Sequence, residues 1–226
     1  MKKNIIVKVG KITLGAVVAL IVVGTIGMAK LVSDSVLYQN KGNDTQGNSV
    51  KQLATYGYDL DGFNAEYSGK EIAVTTMGAQ VSAIYASNVT PGTEEAADAV
   101  ICDSPVPGME YMVRSVIADD DPKEMESFVT SFLTDTSKLY SRLFYGVNWD
   151  EGDTIIVVAN DQLPTLVFVS EKDTVCLPEK VEEVYENVGS QVKSIAYVNS
   201  KHIEGVIDDP AGYMEYVDTF LANAGL

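Results

Sequence analysis

Cysteine, histidine, tryptophan and arginine are scarce in this chain of 226 residues, which holds two Cys, one His and one Trp. Two Cys exclude a disulfide-rich scaffold and a four-Cys zinc site. A single imidazole excludes every metal motif built on a pair of His. Cations are few as well, Lys+Arg 16 against Asp+Glu 32, for a net charge of −16. Arg114 and Arg142 are the only arginines, and Lys2, Lys3, Lys8, Lys11 and Lys30 all lie in the first 30 residues, which contain no acid. Residues 31–226 therefore carry 11 cations against 32 anions, a net of −21. A body this acidic repels phosphate backbones, so nucleic acid is excluded as a partner. Apolar residues make up 46% and charged residues 21%, enough to build a sizeable core.

An uncharged run of 18 residues, 12–29, follows the amino-terminal lysines. That length just spans a bilayer. Positive charge before the span predicts a cytoplasmic amino terminus and an extracytoplasmic body, with residues 12–32 as the membrane contact. The alternative is a signal peptide cleaved after Ala29, for which Gly27 and Ala29 have suitable size and spacing, and which would release the body as a secreted protein. Either way the body is exported, which permits a Cys102–Cys176 disulfide; two free buried thiols are the other reading.

The expected organisation is an anchor or signal segment over 1–32, a polar linker over 33–55 and one folded domain over 56–226. Four short, almost uniformly apolar runs, 72–76, 98–103, 165–170 and 194–199, read as strands buried on both faces. Helical patterns separate them. Val181, Val184, Tyr185 and Val188 follow the i, i+3, i+4, i+7 rule behind Pro178. Asp209-Pro210 caps a last helix whose Tyr213, Val217, Phe220 and Leu221 share a face. Asp121-Pro122 opens another, with Met125, Phe128, Val129 and Phe132 on one stripe. The alternation predicts an α/β fold, a parallel sheet with flanking helices. Residues 112–160 break the rhythm as a helical insertion, read either as lid-like cover for a site or as a packing excursion.

In a parallel sheet, the loops after the strands gather on one edge. Met77-Gly78-Ala79 follow the first strand, Glu171-Lys172-Asp173 the third and Ser200-Lys201-His202 the last. A hydroxyl, a carboxylate and an imidazole then share a rim, in the chain order nucleophile, acid, base.

From residue 73 onward these segments resemble the carboxyl-terminal part of an exported bacterial α/β-hydrolase of the serine esterase, lipase or aminopeptidase kind. Val74-Thr75-Thr76-Met77-Gly78 resembles the G-x-S-x-G elbow. Pro164 to Asp173 resembles the strand that delivers the triad acid, and Asn199-Ser200-Lys201-His202 the loop that delivers the triad histidine. The resemblance implies an incomplete α/β-hydrolase-like sheet, a Thr76/Asp173/His202 triad, and the Met77 backbone N–H as an oxyanion donor. It implies a small ester, lipid or peptide substrate and no metal or organic cofactor. Two features depart from the pattern. The elbow has Thr76 where the family has Ser, and Val74 where it has Gly. Nothing resembles the His-Gly loop that supplies a second oxyanion N–H. A shortened, weakly active or inactive relative is therefore expected, the alternatives being a surface-anchored pseudoenzyme or binding module and a truncated product whose bare strand edge self-associates.

Each candidate has a structural reading beside it. Residues 72–87 also suit a β-hairpin turning at Met77-Gly78-Ala79-Gln80. Asp173 also suits a turn before Pro178, and His202 a plain surface loop. Cys176 is a poor nucleophile candidate, because no elbow surrounds it. The acidic groups 119–121 and 150–153 lack the ligand spacing of a calcium loop and read as helix caps.

Overall fold

In the computed structural model, residues 2–37, 76–119 and 121–226 are described. Of the expected strand 72–76, residues 72–75 lie outside them, as do the linker beyond residue 37, the aromatic segment 56–63 and Asp120, and Thr76 is helical, not a strand residue. Helix α1 spans Lys2–Leu37, α2 Thr76–Ala86, strand β1 Val100–Asp103 and α3 Met109–Ile117. Short α4 (Pro122–Met125) and α5 (Phe128–Tyr140) follow, and α5 continues as a π-turn over Ser141–Tyr145. Then come α6 (Thr154–Val157), β2 (Thr165–Ser170), α7 (Pro178–Asn187), β3 (Lys193–Val198), α8 (Gly205–Asp208) and α9 (Pro210–Ala224).

The three strands form one parallel sheet in the order β1-β2-β3, with Cys102 opposite Val167 and Val167 opposite Ile195. Every residue of β1 and β2 is buried. Successive side chains on a strand point to opposite faces, and each face here has its own helical cover. Val100, Cys102, Val167 and Val169 pack with Ala79 and Ala83 of α2 and Val181 and Val184 of α7. Ile101, Leu166, Phe168, Ala196 and Val198 pack with Tyr213, Val217 and Phe220 of α9. Phe168 and Tyr213 stack at 3.9 Å between ring centroids. Two-sided burial is why β1 and β2 read as continuous apolar runs; β3, expected to match them, buries only Ala196 and Val198 and leaves Tyr197 exposed.

Helix α2 overturns the hairpin reading. Residues 77–80 lie inside a helix, where Ala79 and Ala83, four apart, face the sheet. The stripe expected over Met125, Phe128, Val129 and Phe132 is also corrected. The chain breaks between α4 and α5, the Ser127 side chain caps α5 by accepting from the Thr130 N–H, and only Met125 of the four is buried. The expected caps at Asp121, Asp153 and Asp209 are present, each accepting a backbone N–H of its own first turn. Cys102 and Cys176 are free and buried, so the disulfide reading gives way to two thiols. Burial pushes the Cys102 thiol up to about 12.

The chain divides into two compact units, Met1–Gln39 with Val113–Trp149, and Asn40–Met112 with Asp150–Leu226. In the first, α1 packs along α5 and runs on to Leu37, past the start of the segment read as linker. Within it the stretch Val17–Ser35 is long and apolar enough to cross a membrane. The second unit holds the sheet and the candidate site.

Candidate functional site

Parallel strands deliver their carboxyl ends to one edge, and here that edge is tied together by hydroxyls. Ser104 Oγ after β1 lies 3.1 Å from Ser170 Oγ at the end of β2, and Ser200 after β3 donates to that Ser170 oxygen (3.4 Å). All three serines are buried. The Glu171 N–H donates to the Val198 carbonyl and the Lys172 N–H to that of Ser200, both at 2.9 Å, so the loops after β2 and β3 advance side by side.

That pairing brings Asp173 to His202. The Asp173 Oδ2 lies 2.6 Å from His202 Nδ1. The carboxylate is wholly buried, whereas the imidazole keeps 18% of its surface exposed. The other carboxylate oxygen, Oδ1, accepts the backbone N–H groups of Val175 (2.8 Å) and Cys176 (2.9 Å). Asp173 therefore performs the turn proposed for it and faces the imidazole as well. With Nδ1–H donating to the carboxylate, Nε2 is left as the basic nitrogen.

The loop carrying His202 is held in an unusual backbone. Ile203 has φ +54°, in the left-handed region that a β-branched residue rarely occupies. Such conformations cost about 1–3 kcal/mol and persist where the surroundings over-determine them. Ser104, at φ +46°, shows the same feature at the end of β1.

Two groups on this edge escaped the sequence reading. Asp103, the last residue of β1, is buried and accepts from the Tyr213 hydroxyl (3.1 Å) and from Ser104 Oγ (3.2 Å). Burial raises its carboxyl pKa; the two hydrogen bonds and the nearby His202 pull it down, and Asp173 pushes it up. Tyr111 donates to the Val175 carbonyl (2.9 Å) and accepts the Leu177 N–H (3.1 Å), bracing the turn after Asp173. Burial drives the Tyr111 hydroxyl up to about 12. The apolar run around Asp103 gave one signal, an acid closing a buried strand; nothing in the sequence singled out Tyr111.

Asp173, Cys176 and His202 place one potential ligand atom each within 4.8 Å of one another, so among the described residues these three could hold a metal ion. Their chemistry fits an oriented imidazole better. Both Asp173 oxygens are already engaged, one by two backbone donors and one by the ring, and Cys176 is buried in the apolar cluster beside Val181. Thr76 opens α2. For Thr76 and Met77 only the helical backbone is described, and residues 72–75, the expected strand before them, lie outside the described residues.

No protein-family model and no curated protein matches the chain. Solved structures similar to it are α/β-hydrolases. An esterase of Pyrococcus furiosus is 18% identical over 65% of this chain and 50% of its own, with a TM-score of 0.44. A membrane phospholipase A, described as a bacterial virulence factor, is 13% identical over 83% of this chain and 66% of its own, at 0.44. An enol-lactonase of Burkholderia xenovorans is 15% identical over 65% of this chain and 63% of its own, at 0.40. The chain thus spans about half the length of the first of these.

Proposed function

We propose that the chain is a membrane-anchored, extracytoplasmic protein of the α/β-hydrolase kind that cleaves ester or amide bonds through Thr76, His202 and Asp173. The observation that carries the reading is the 2.6 Å contact between a buried carboxylate and a partly exposed imidazole on the carboxyl edge of a parallel sheet. Its support also includes the position of Thr76 at the first residue of α2.

In this reading Thr76 Oγ attacks the substrate carbonyl while its proton passes to His202 Nε2. Asp173 holds the tautomer and stabilises the imidazolium. The negative oxygen of the tetrahedral intermediate accepts the Met77 backbone N–H. Collapse expels the alcohol or amine, which takes the proton from His202. Water, deprotonated by the same imidazole, then releases the acid and regenerates Thr76. The β-branched Thr makes this a slow nucleophile, since its methyl crowds the attack path.

Hydrolysis of a short p-nitrophenyl ester tests the proposal. His202→Ala should abolish it, Asp173→Asn should lower kcat by about 10³–10⁴, and Thr76→Ser should raise it. Equal rates in all the variants and the parent would refute the triad. One observation favours a second reading, a binding module without turnover: the Thr at the nucleophile position. That reading expects no hydrolysis from the parent and none from Thr76→Ser.

The anchor is part of the same proposal. Lysines precede the apolar run, which favours a cytoplasmic amino terminus. Burial of Ala29 and Ser33 within α1 supports a retained helix over cleavage at that point.

A further inference from the structure

Helix α5 is built inside out. Thr130, Thr134, Ser137 and Ser141 recur at i, i+4, i+7 and i+11 and are all buried. On the opposite side Phe128 is 82% exposed, and Phe132, Leu139 and Leu143 continue its stripe, which one exposed acid, Asp135, interrupts between Phe132 and Leu139. Phe144 and Val129 are exposed beside them. A helix in water places its small polar residues outward and its phenylalanines inward. A helix pair in lipid does the reverse, with small residues at the contact and bulky apolar ones outside.

The buried stripe faces α1. Ser33 donates to the Ser137 carbonyl (3.2 Å), Ser141 donates to Ser33 Oγ (3.1 Å), and Tyr145 donates to the Asp34 carboxylate. Ala29 and Ser33 are buried, whereas Leu20, Ile21, Val23, Ile26 and Leu31 of the same helix are exposed. These contacts lie within Val17–Ser35, the stretch long enough to cross a membrane. The exposed apolar residues of α5 therefore belong to the same packed pair of helices as those of the anchor.

We infer that α5 and its π-turn, Phe128 to Tyr145, form a second membrane-contacting element, seated in the lipid at the outer end of the anchor with the Phe128–Phe132–Leu139–Leu143 stripe against acyl chains. The occupant of this face is the bilayer. Amphipathic helices of this length rest at the headgroup–acyl boundary, with binding that scales with the apolar area buried. The inference rests on the anchoring reading of α1 and goes beyond it, because residues 128–145 lie in the insertion and not in the amino-terminal run.

The test uses the full chain reconstituted in phosphatidylcholine vesicles that contain a phosphatidylcholine photoactivatable in its acyl chain. After irradiation, adducts are mapped by mass spectrometry. The expected result is labelling of peptides within 124–142 severalfold above those carrying the exposed Tyr197 and Tyr216, together with labelling of α1. The Phe128→Ser/Phe132→Ser double variant, checked for an unchanged melt, should lose most of the labelling in that segment and keep it in α1. Labelled α1 with 124–142 at background would overturn the inference and leave the anchor standing. Chain-to-chain cross-links through Lys138 with an added amine-reactive bifunctional reagent, together with background lipid labelling of 124–142, would overturn it in favour of a second copy. Failure of the parent chain to float with vesicles would overturn both.

Discussion

Asp173 divides its two oxygens between two tasks, and that division explains why sequence left its role open. Oδ1 closes the turn over Val175 and Cys176, the job a loop aspartate commonly has. Oδ2 meets His202, a partner 29 positions away that no local pattern reveals. Asp161 illustrates a different outcome for a buried carboxylate. It accepts from the Leu163 N–H (2.9 Å) and from Thr165 Oγ (2.6 Å), yet burial outweighs these bonds and a third from the Gln162 backbone and raises its pKa. A carboxyl that keeps its proton to higher pH when folded makes the native state bind more protons than the unfolded one. Stability from this group is then greatest below the ordinary value of 3.8 and falls as pH rises through the raised value. Asp161→Asn cannot ionise, and the Thr165 hydroxyl has the Leu163 carbonyl at 2.9 Å as its other acceptor. The stability of the parent relative to this variant, measured by urea unfolding across that window, should decline with rising pH. A flat difference would show that Asp161 is not the group burial strains.

At the scale of elements, strands were more legible than helices. The run 165–170 coincides with β2, and 98–103 and 194–199 differ from β1 and β3 only at their ends. Burial on both faces writes itself into the sequence as unbroken Val, Ile, Leu and Phe. The hydrophobic spacing around Phe128 misled, because periodicity reports that a helix has an apolar face and not what that face meets. In α5 the buried face is Thr and Ser. Close approaches were also invisible. Gly189, between α7 and β3, donates its N–H to the Val158 carbonyl (2.9 Å), and a Cβ there would stand 2.2 Å from the Ala159 carbonyl oxygen. Backbone cannot yield as a flexible side chain does, so Gly189→Ala should cost about 1–3 kcal/mol, the range for overpacking. A lowered urea midpoint with an unchanged slope is the expected signature; an unchanged midpoint would mean the loop moves aside freely.

At the scale of the whole molecule, one unit presents the apolar surface of α1 and α5, and the other gathers the strand ends where Asp173 and His202 meet. Strand–helix alternation in the sequence was enough to predict that loops distant along the chain would share an edge. The division into units was not legible, because it depends on 113–149 joining the amino-terminal helix across more than seventy residues of intervening chain. The functional account depends on a hydroxyl at Thr76 made reactive by that imidazole. Labelling of the full-length protein with a fluorophosphonate, followed by peptide mapping, tests this most directly, since the probe phosphonylates only an activated hydroxyl. The account predicts an adduct on Thr76 that disappears in His202→Ala and forms faster in Thr76→Ser. An adduct on Ser104, Ser170 or Ser200 instead, or no adduct in either the parent or Thr76→Ser, would contradict it.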